Sequence, residues 1–214
     1  MRDPLSHIWR FFEQVVFTFN FDPGDEFSLF NPYNQEISSI DRPGAAGIRQ
    51  QNLKNYLDSF PKAPEYLLLG EAPGWRGCRF SGVPFTSEAQ FGQSNVPFQG
   101  EPTSISGTYR EASATIFWNT LRVHHPRAFA WNIMPFHPHH IDVPLSNRRP
   151  SRSEIDWALP VLIRLINLLA PIRIIAVGKV ASSTLAKINI PALTIRHPSH
   201  GGAQIFRSEI LSYL

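Results

Sequence analysis

Three polar side chains capable of catalytic chemistry stand at or just after short apolar runs of the chain. Glu71 follows the run 66–69, Asn132 lies near the end of another, and His197 follows Leu193–Ile195. A carboxylate can orient water or face a positive charge, an amide offers a donor beside an acceptor, and an imidazole can donate or accept. Each also has an ordinary structural reading, as a turn cap, a loop stabiliser or a satisfied histidine. Their shared position at the ends of the runs favours a common site.

The apolar runs predict buried strands, because they are short, continuous and bounded by loop residues. The predicted strands are 66–69, 129–133, 172–177 and 193–195. The predicted helices are 4–19, 46–59, 110–123, one from Ser151 or Ser153 to Leu169, one ending near Ile188 and one from about 203. Strands alternating with helices predict an α/β fold: a three-layer α/β/α sandwich around a four-stranded parallel sheet. In such a sheet, ligands bind outside the carboxyl ends of the strands, where the three side chains would meet.

The remaining segments are predicted to be long loops, at 20–45, 71–108 and 134–150. The segment 71–108 is rich in glycine and proline, and a long loop after a buried strand is usually functional. No repeat or linker divides the chain. We therefore expect one domain over 1–214, with 1–65 as a helical and loop extension packed on it.

Cofactor sites have weak support in the sequence. His137, His139 and His140 could ligate zinc, but no HExxH pair or cysteine accompanies them, and Pro138 imposes an extended path. The single cysteine excludes an internal disulfide and four-cysteine metal or iron–sulfur sites. The segment 70–74 lacks the Gly-Lys-Ser/Thr ending of a phosphate-binding P-loop. We expect neither a metal nor another cofactor.

The charge distribution favours a polyanionic partner without naming one. The chain of 214 residues has a net charge of +3, but residues 1–65 carry six Lys or Arg against nine Asp or Glu, and the rest fourteen against eight. An ordinary solvated surface remains the alternative. No apolar run reaches the ~18 residues of a membrane span, and the start lacks the features of a secretory signal. We expect a cytoplasmic protein.

Four segments in order resemble the motifs of the uracil-DNA glycosylase superfamily. They are Gly-Glu-Ala-Pro-Gly at 70–74, Gly-Val-Pro-Phe at 82–85, Asn132, and Arg-His-Pro-Ser at 196–199. The resemblance covers about 66–210 and is closest to the branch common in thermophilic bacteria and archaea. That branch holds an iron–sulfur cluster on four cysteines, which this chain lacks. The chemistry is therefore expected to carry over more readily than the base preference.

The resemblance implies a role for each site residue. Glu71 would orient a water and stabilise the sugar cation, and His197 would hydrogen-bond the negative charge that grows on the leaving base. Asn132 would read the edge of uracil, and Phe85 would stack on the flipped base. The substrate-binding residues implied are Gly70, Ala72, Phe85 and Asn132.

DNA contacts are expected at the starts of helices and at clusters of arginine. Backbone N–H groups before a helix favour phosphate, and arginine clusters can follow the backbone. His200 could enter the gap left by the flipped base. The expected DNA-binding residues are Arg148, Arg149, Lys179, Ser199, His200 and Gly201.

These features predict a monomeric, monofunctional DNA glycosylase that removes uracil or a related deaminated or modified base in base excision repair. One alternative is a module of the same fold that binds modified DNA with little turnover. A pure binder has no use for a water-orienting carboxylate, which argues against it. The other alternative is a hydrolase or transferase acting on free nucleotides.

Overall fold

A computed structural model describes residues 4–20 and 28–214 of the chain. Its strands are β1 (Leu29–Phe30), β2 (Tyr66–Gly70), β3 (Ala128–Asn132), β4 (His137–Pro138), β5 (Arg173–Val177) and β6 (Leu193–Ile195). Strands β3, β2, β5 and β6 form, in that order, a parallel sheet, which confirms the predicted α/β fold class and its four strands. Leu67, Leu68 and Leu69 of the central strand β2 are fully buried, as expected of a strand covered on both faces.

The helices agree with the predicted alternation. They are α1 (Ser6–Phe11), α2 (Ala45–Asp58), α3 (Cys78–Ser81), α4 (Ala112–Leu121), α5 (Arg152–Leu169), α6 (Lys179–Lys187) and α7 (Ala203–Leu211). Ser151 is the cap of α5: its hydroxyl accepts from Glu154 N, and its own N–H donates to the Glu154 carboxylate at 2.6 Å. The predicted helix over 4–19 is shorter as an α-helix, because a π-helix at Phe12–Val16 continues α1.

Two segments predicted to be loops pair as a small antiparallel sheet. Leu29 of β1 pairs with Pro138 of β4, and Phe30 pairs with His137. A two-residue strand has no periodicity to show, and its partner lies about a hundred residues away, so the local pattern could not indicate it. The predicted loop 20–45 falls partly outside the described residues, at 21–27.

The N-terminal segment packs against the loop that follows β2 through a buried charge cluster. Asp41 pairs with both Arg49 of α2 and Arg79 of α3, and all three side chains are completely buried. The Tyr33 hydroxyl donates to Gly82 O at 2.9 Å, in the same region. Residues before 65 therefore hold the long loop in place, while the single-domain organisation itself stays a prediction.

Candidate functional site

A narrow pocket opens where β2 and β3 end and where the chain leaves β6. Asn132 pairs with Gly70 in the register of the sheet, so the first and second predicted motifs are adjacent. The residues lining the pocket are Glu71, Ala72, Gly74, Cys78, Phe85, Glu111, Ser113, Asn132 and His197. The sequence predicted five of these, and the tertiary structure brings all five together.

Gly70 allows Phe85 and Asn132 to reach the pocket. A Cβ atom on Gly70 would lie 2.6 Å from Phe85 Cζ and 2.7 Å from Asn132 Oδ1, so any larger residue would displace both side chains. Phe85 has a φ of 52°, a left-handed conformation that an aromatic residue rarely adopts. Its ring stacks on Phe117, with centroids 4.4 Å apart and planes 11° apart. Strain of this kind is often found at binding sites, where the surroundings hold it.

Asn132 is only 5% exposed, yet within the described part of the chain no hydrogen bond engages its side-chain amide. Neither amide atom is among the fully buried polar atoms of the described residues that lack a partner, so the amide reaches the open space of the pocket. The backbone around it is well fixed, because Ile133 N donates to Gly70 O at 2.9 Å. The backbone that carries the amide is therefore fixed, and the donor and acceptor of the side chain are available to a ligand.

His197 presents a neutral imidazole. The Ser199 N–H donates to its Nδ1 at 3.1 Å, and the Ser199 hydroxyl lies 2.7 Å from the same atom. Nδ1 is thus an acceptor, which places the ring proton on Nε2. Burial, followed by the charges of His200 and Arg196, lowers the pKa of His197 to about 4. At neutral pH the side chain can donate a hydrogen bond through Nε2 without carrying a positive charge.

Glu71 is a half-buried carboxylate on the rim of the pocket. Burial raises its pKa, and the positive charge of Arg149 opposes that shift. Its backbone is fixed where its carbonyl accepts from Met134 N at 3.0 Å. No hydrogen bond within the described residues engages the carboxylate, so it can bind water.

His137 has a structural role in the loop after β2. It is fully buried, and its Nδ1 lies 2.7 Å from Pro73 O, to which it can donate. Burial lowers its pKa to about 4. Among residues 4–20 and 28–214, no three His, Cys, Asp or Glu side chains are grouped to hold a metal ion. The geometry therefore gives no support to the histidine alternative, and independence from metal stays a prediction.

Arg148 turns inward and is a poor phosphate ligand. Its guanidinium bridges both carboxylate oxygens of Glu154, at 2.8 and 2.5 Å, and donates to Ser28 O and His139 O. These bonds occupy the donors that a phosphate would need, so we correct the expectation for Arg148 to a structural role. Arg149 is exposed and close enough to Glu71 to affect its pKa.

The other expected DNA contacts surround His197. Gly178 lies directly before Lys179, and a Cβ atom on it would lie 3.2 Å from His197 Cβ, so the start of α6 adjoins the site. Lys179 and His200 are both exposed. Ser199, expected at a phosphate, instead directs its hydroxyl to His197.

Sequence reasoning missed Gly74, Cys78, Glu111 and Ser113 as pocket residues. Glu111 and Ser113 stand at the start of the predicted helix 110–123, about 40 residues after Glu71. An acidic residue at a helix start is common enough that it gave no specific signal.

Comparisons with known proteins agree with this architecture. The model of the Uracil DNA glycosylase superfamily matches residues 57–213. The chain belongs to that superfamily. Its structure is similar to the crystal structure of wild-type SMUG2 from Pedobacter heparinus, with a TM-score of 0.66 and 15% identity over 95% of each chain, a likeness of fold. No curated protein matches the sequence. None of the helices in the described ranges is long and apolar enough to cross a membrane.

Proposed function

We propose that the protein is a monofunctional DNA glycosylase that hydrolyses the N-glycosidic bond of uracil or a related deaminated or modified base. The observation that carries the proposal is that the unpartnered amide of Asn132 lies in one pocket with a carboxylate, a neutral imidazole and an aromatic ring. Membership of the superfamily supports a reaction of this class on DNA.

Reading the base requires that it leave the stack, because the duplex hides both its edge and its glycosidic bond. Phe85 supplies a ring for the base to stack on. The Asn132 amide can donate to O4 of uracil and accept from N3–H. Cytosine presents an amino group and an unprotonated nitrogen there, so a fixed amide would meet two mismatched partners, each costing about 1–3 kcal/mol.

Bond cleavage develops positive charge on the sugar and negative charge on the base. His197 donates from Nε2 to O2 of the departing base, and this donor is in place before the reaction. Glu71 faces the sugar cation and orients the water that attacks C1′. The water adds its oxygen to the sugar and gives up a proton, and the base leaves with the bonding electron pair and is then protonated.

The DNA strand would be held by the basic surface around the pocket. Arg149 is an exposed cation near Glu71, and Lys179 is an exposed cation at the start of α6, whose backbone N–H groups adjoin His197. The excess of cations after residue 65 points to the same polyanion.

Labelled oligonucleotides, single- and double-stranded, test the proposal. Each carries uracil, hypoxanthine, xanthine or 5-hydroxymethyluracil, and is treated with alkali after incubation. We expect strand breaks that require alkali, and their loss with the Glu71→Gln variant prepared in parallel. Shifted bands without breaks would favour the binding module, and neither breaks nor shifts would favour a free nucleotide as substrate. Breaks without alkali would show a lyase and refute the monofunctional assignment.

A further inference from the structure

A second carboxyl group, that of Glu111, lies in the pocket and has no role so far. It stands directly before α4, and its side chain enters a slot between two glycines of the loop after β2. A Cβ atom on Gly74 would lie 2.9 Å from Glu111 Oε1, and one on Gly77 would overlap Oε2. The two glycines thus leave a space that the Glu111 carboxyl group occupies.

The surroundings of Glu111 differ from those of the structural carboxylates of the protein. Glu88 accepts hydrogen bonds from Thr103 N, Ser104 N and the Ser104 hydroxyl, and Glu154 pairs with Arg148. Within the described residues Glu111 has no Lys or Arg in an ion pair, and the Ser113 hydroxyl is the one side chain that favours its charge. A buried group kept only for structure would normally be better compensated.

We propose that Glu111 is a second group that reads the flipped base, donating a hydrogen bond to a carbonyl oxygen on the base edge. The inference rests on the proposed function. It narrows the substrates to deaminated bases, which carry a carbonyl group at the position where the undamaged base has an amino group. A carbonyl oxygen has two lone pairs, so O4 of uracil can accept from Asn132 and from Glu111 together.

The protonation state of Glu111 decides which base edge it accepts. The residue is partly exposed, but dense protein surrounds its carboxyl group, and burial raises its pKa. In the neutral form it has an O–H donor for a carbonyl. In the ionised form it has acceptors alone, which repel a carbonyl and suit an amino group.

The neighbouring titratable groups do not obscure the effect of Glu111 ionisation on uracil release. Burial holds the pKa of the Cys78 thiol far above its usual range, and the pKa of His197 is about 4, so neither changes charge near neutrality. Burial raises the pKa of Glu71 as well as that of Glu111; the charge of Arg149 opposes the shift at Glu71, and a hydrogen bond with Ser113 opposes it at Glu111. The Arg76 guanidinium, in the same loop, stacks on the Trp75 ring. Uracil release should therefore rise as Glu71 ionises and fall as Glu111 ionises.

The experiment compares Glu111→Gln and Glu111→Ala with the wild type in single-turnover uracil release between about pH 6 and about pH 9. Glutamine keeps a donor beside an acceptor and cannot ionise. We expect it to retain release within about threefold at neutral pH and to lose the alkaline decline. Alanine should lower release about tenfold to a hundredfold, the effect of removing a partner from a buried polar group. Glu101→Gln, an exposed carboxyl on the same segment, is the matched control and should behave as the wild type.

If the wild type is active, either of two results would overturn the assignment. One is uracil release by Glu111→Ala within threefold of the wild-type rate. The other is a Glu111→Gln variant whose uracil release still declines at alkaline pH. Thermal unfolding shows whether each variant is folded, and if alanine disrupts the loop, the pH profile of the glutamine variant decides. A wild type that releases no base from any oligonucleotide would instead refute the proposed function.

Discussion

Removing the imidazole of His197 isolates one step of the proposed reaction. Because Ser199 occupies Nδ1, the Nε2–H is the single donor that His197 can give to a leaving base. Loss of one preorganised donor typically lowers turnover 10²–10³-fold, or about 2.7–4 kcal/mol. With a pKa of about 4, roughly one molecule in a thousand carries a protonated His197 at pH 7. The wild-type rate should therefore not depend on an imidazolium.

The substrate can compensate for this loss but not for the loss of Glu71. A base with a more acidic leaving nitrogen, such as 5-fluorouracil, stabilises its own negative charge and needs less help from a donor. It should partly rescue His197→Ala. Glu71→Gln removes the negative charge that faces the sugar. Because the sugar cation and the attacking water are the same with either base, 5-fluorouracil should rescue this variant much less.

Single-turnover release of uracil and of 5-fluorouracil from the same single-stranded oligonucleotide measures both effects. His140→Ala, which removes an exposed imidazole outside the pocket, is the control and should release both bases as the wild type does. Equal rescue of the two variants would show that the roles of Glu71 and His197 are misassigned. A His197→Ala variant within threefold of wild type on uracil would refute the donor itself.

Four further outcomes are expected. Asn132→Asp replaces the amide donor with a carboxylate that repels O4, so uracil release should fall sharply while DNA affinity, measured by titration, changes little; release within twofold of wild type would contradict the reading role. Arg149→Ala should reduce the slope of log K against log salt by about 0.7–0.9, one phosphate contact, whereas Arg148→Ala should leave the slope unchanged and lower stability. Asp41→Ala removes the carboxylate that pairs with two buried guanidinium groups and should cost about 3–5 kcal/mol in urea unfolding, and a loss below about 1 kcal/mol would contradict the cluster's importance. Activity should persist in EDTA, and loss that zinc restores would return the histidine loop to consideration.

Local sequence determines where the buried strands of this protein lie and where its site belongs. A short run of apolar residues must be buried wherever it lies, so the run 66–69 indicates a strand and its end indicates where a site belongs. Glu71, Asn132 and His197 each follow directly from this rule, because the carboxyl ends of parallel strands share one edge. The alternation of strands and helices determined the parallel sheet in the same way.

The partners of charged and polar side chains were decided by the tertiary structure alone. The sequence predicted Arg148 at the DNA surface, but its guanidinium pairs with Glu154. The sequence offers weak support for His137 as a metal ligand, and the imidazole ring lies against Pro73 O. Glu111 lies in the pocket in a slot between two glycines, and the path of the loop after β2 forms that slot. The burial of an apolar run follows from local composition because apolar side chains are driven out of water wherever they lie. A hydrogen bond or ion pair, and with it the burial of a charged residue, depends on which distant atom the fold brings within about 3 Å.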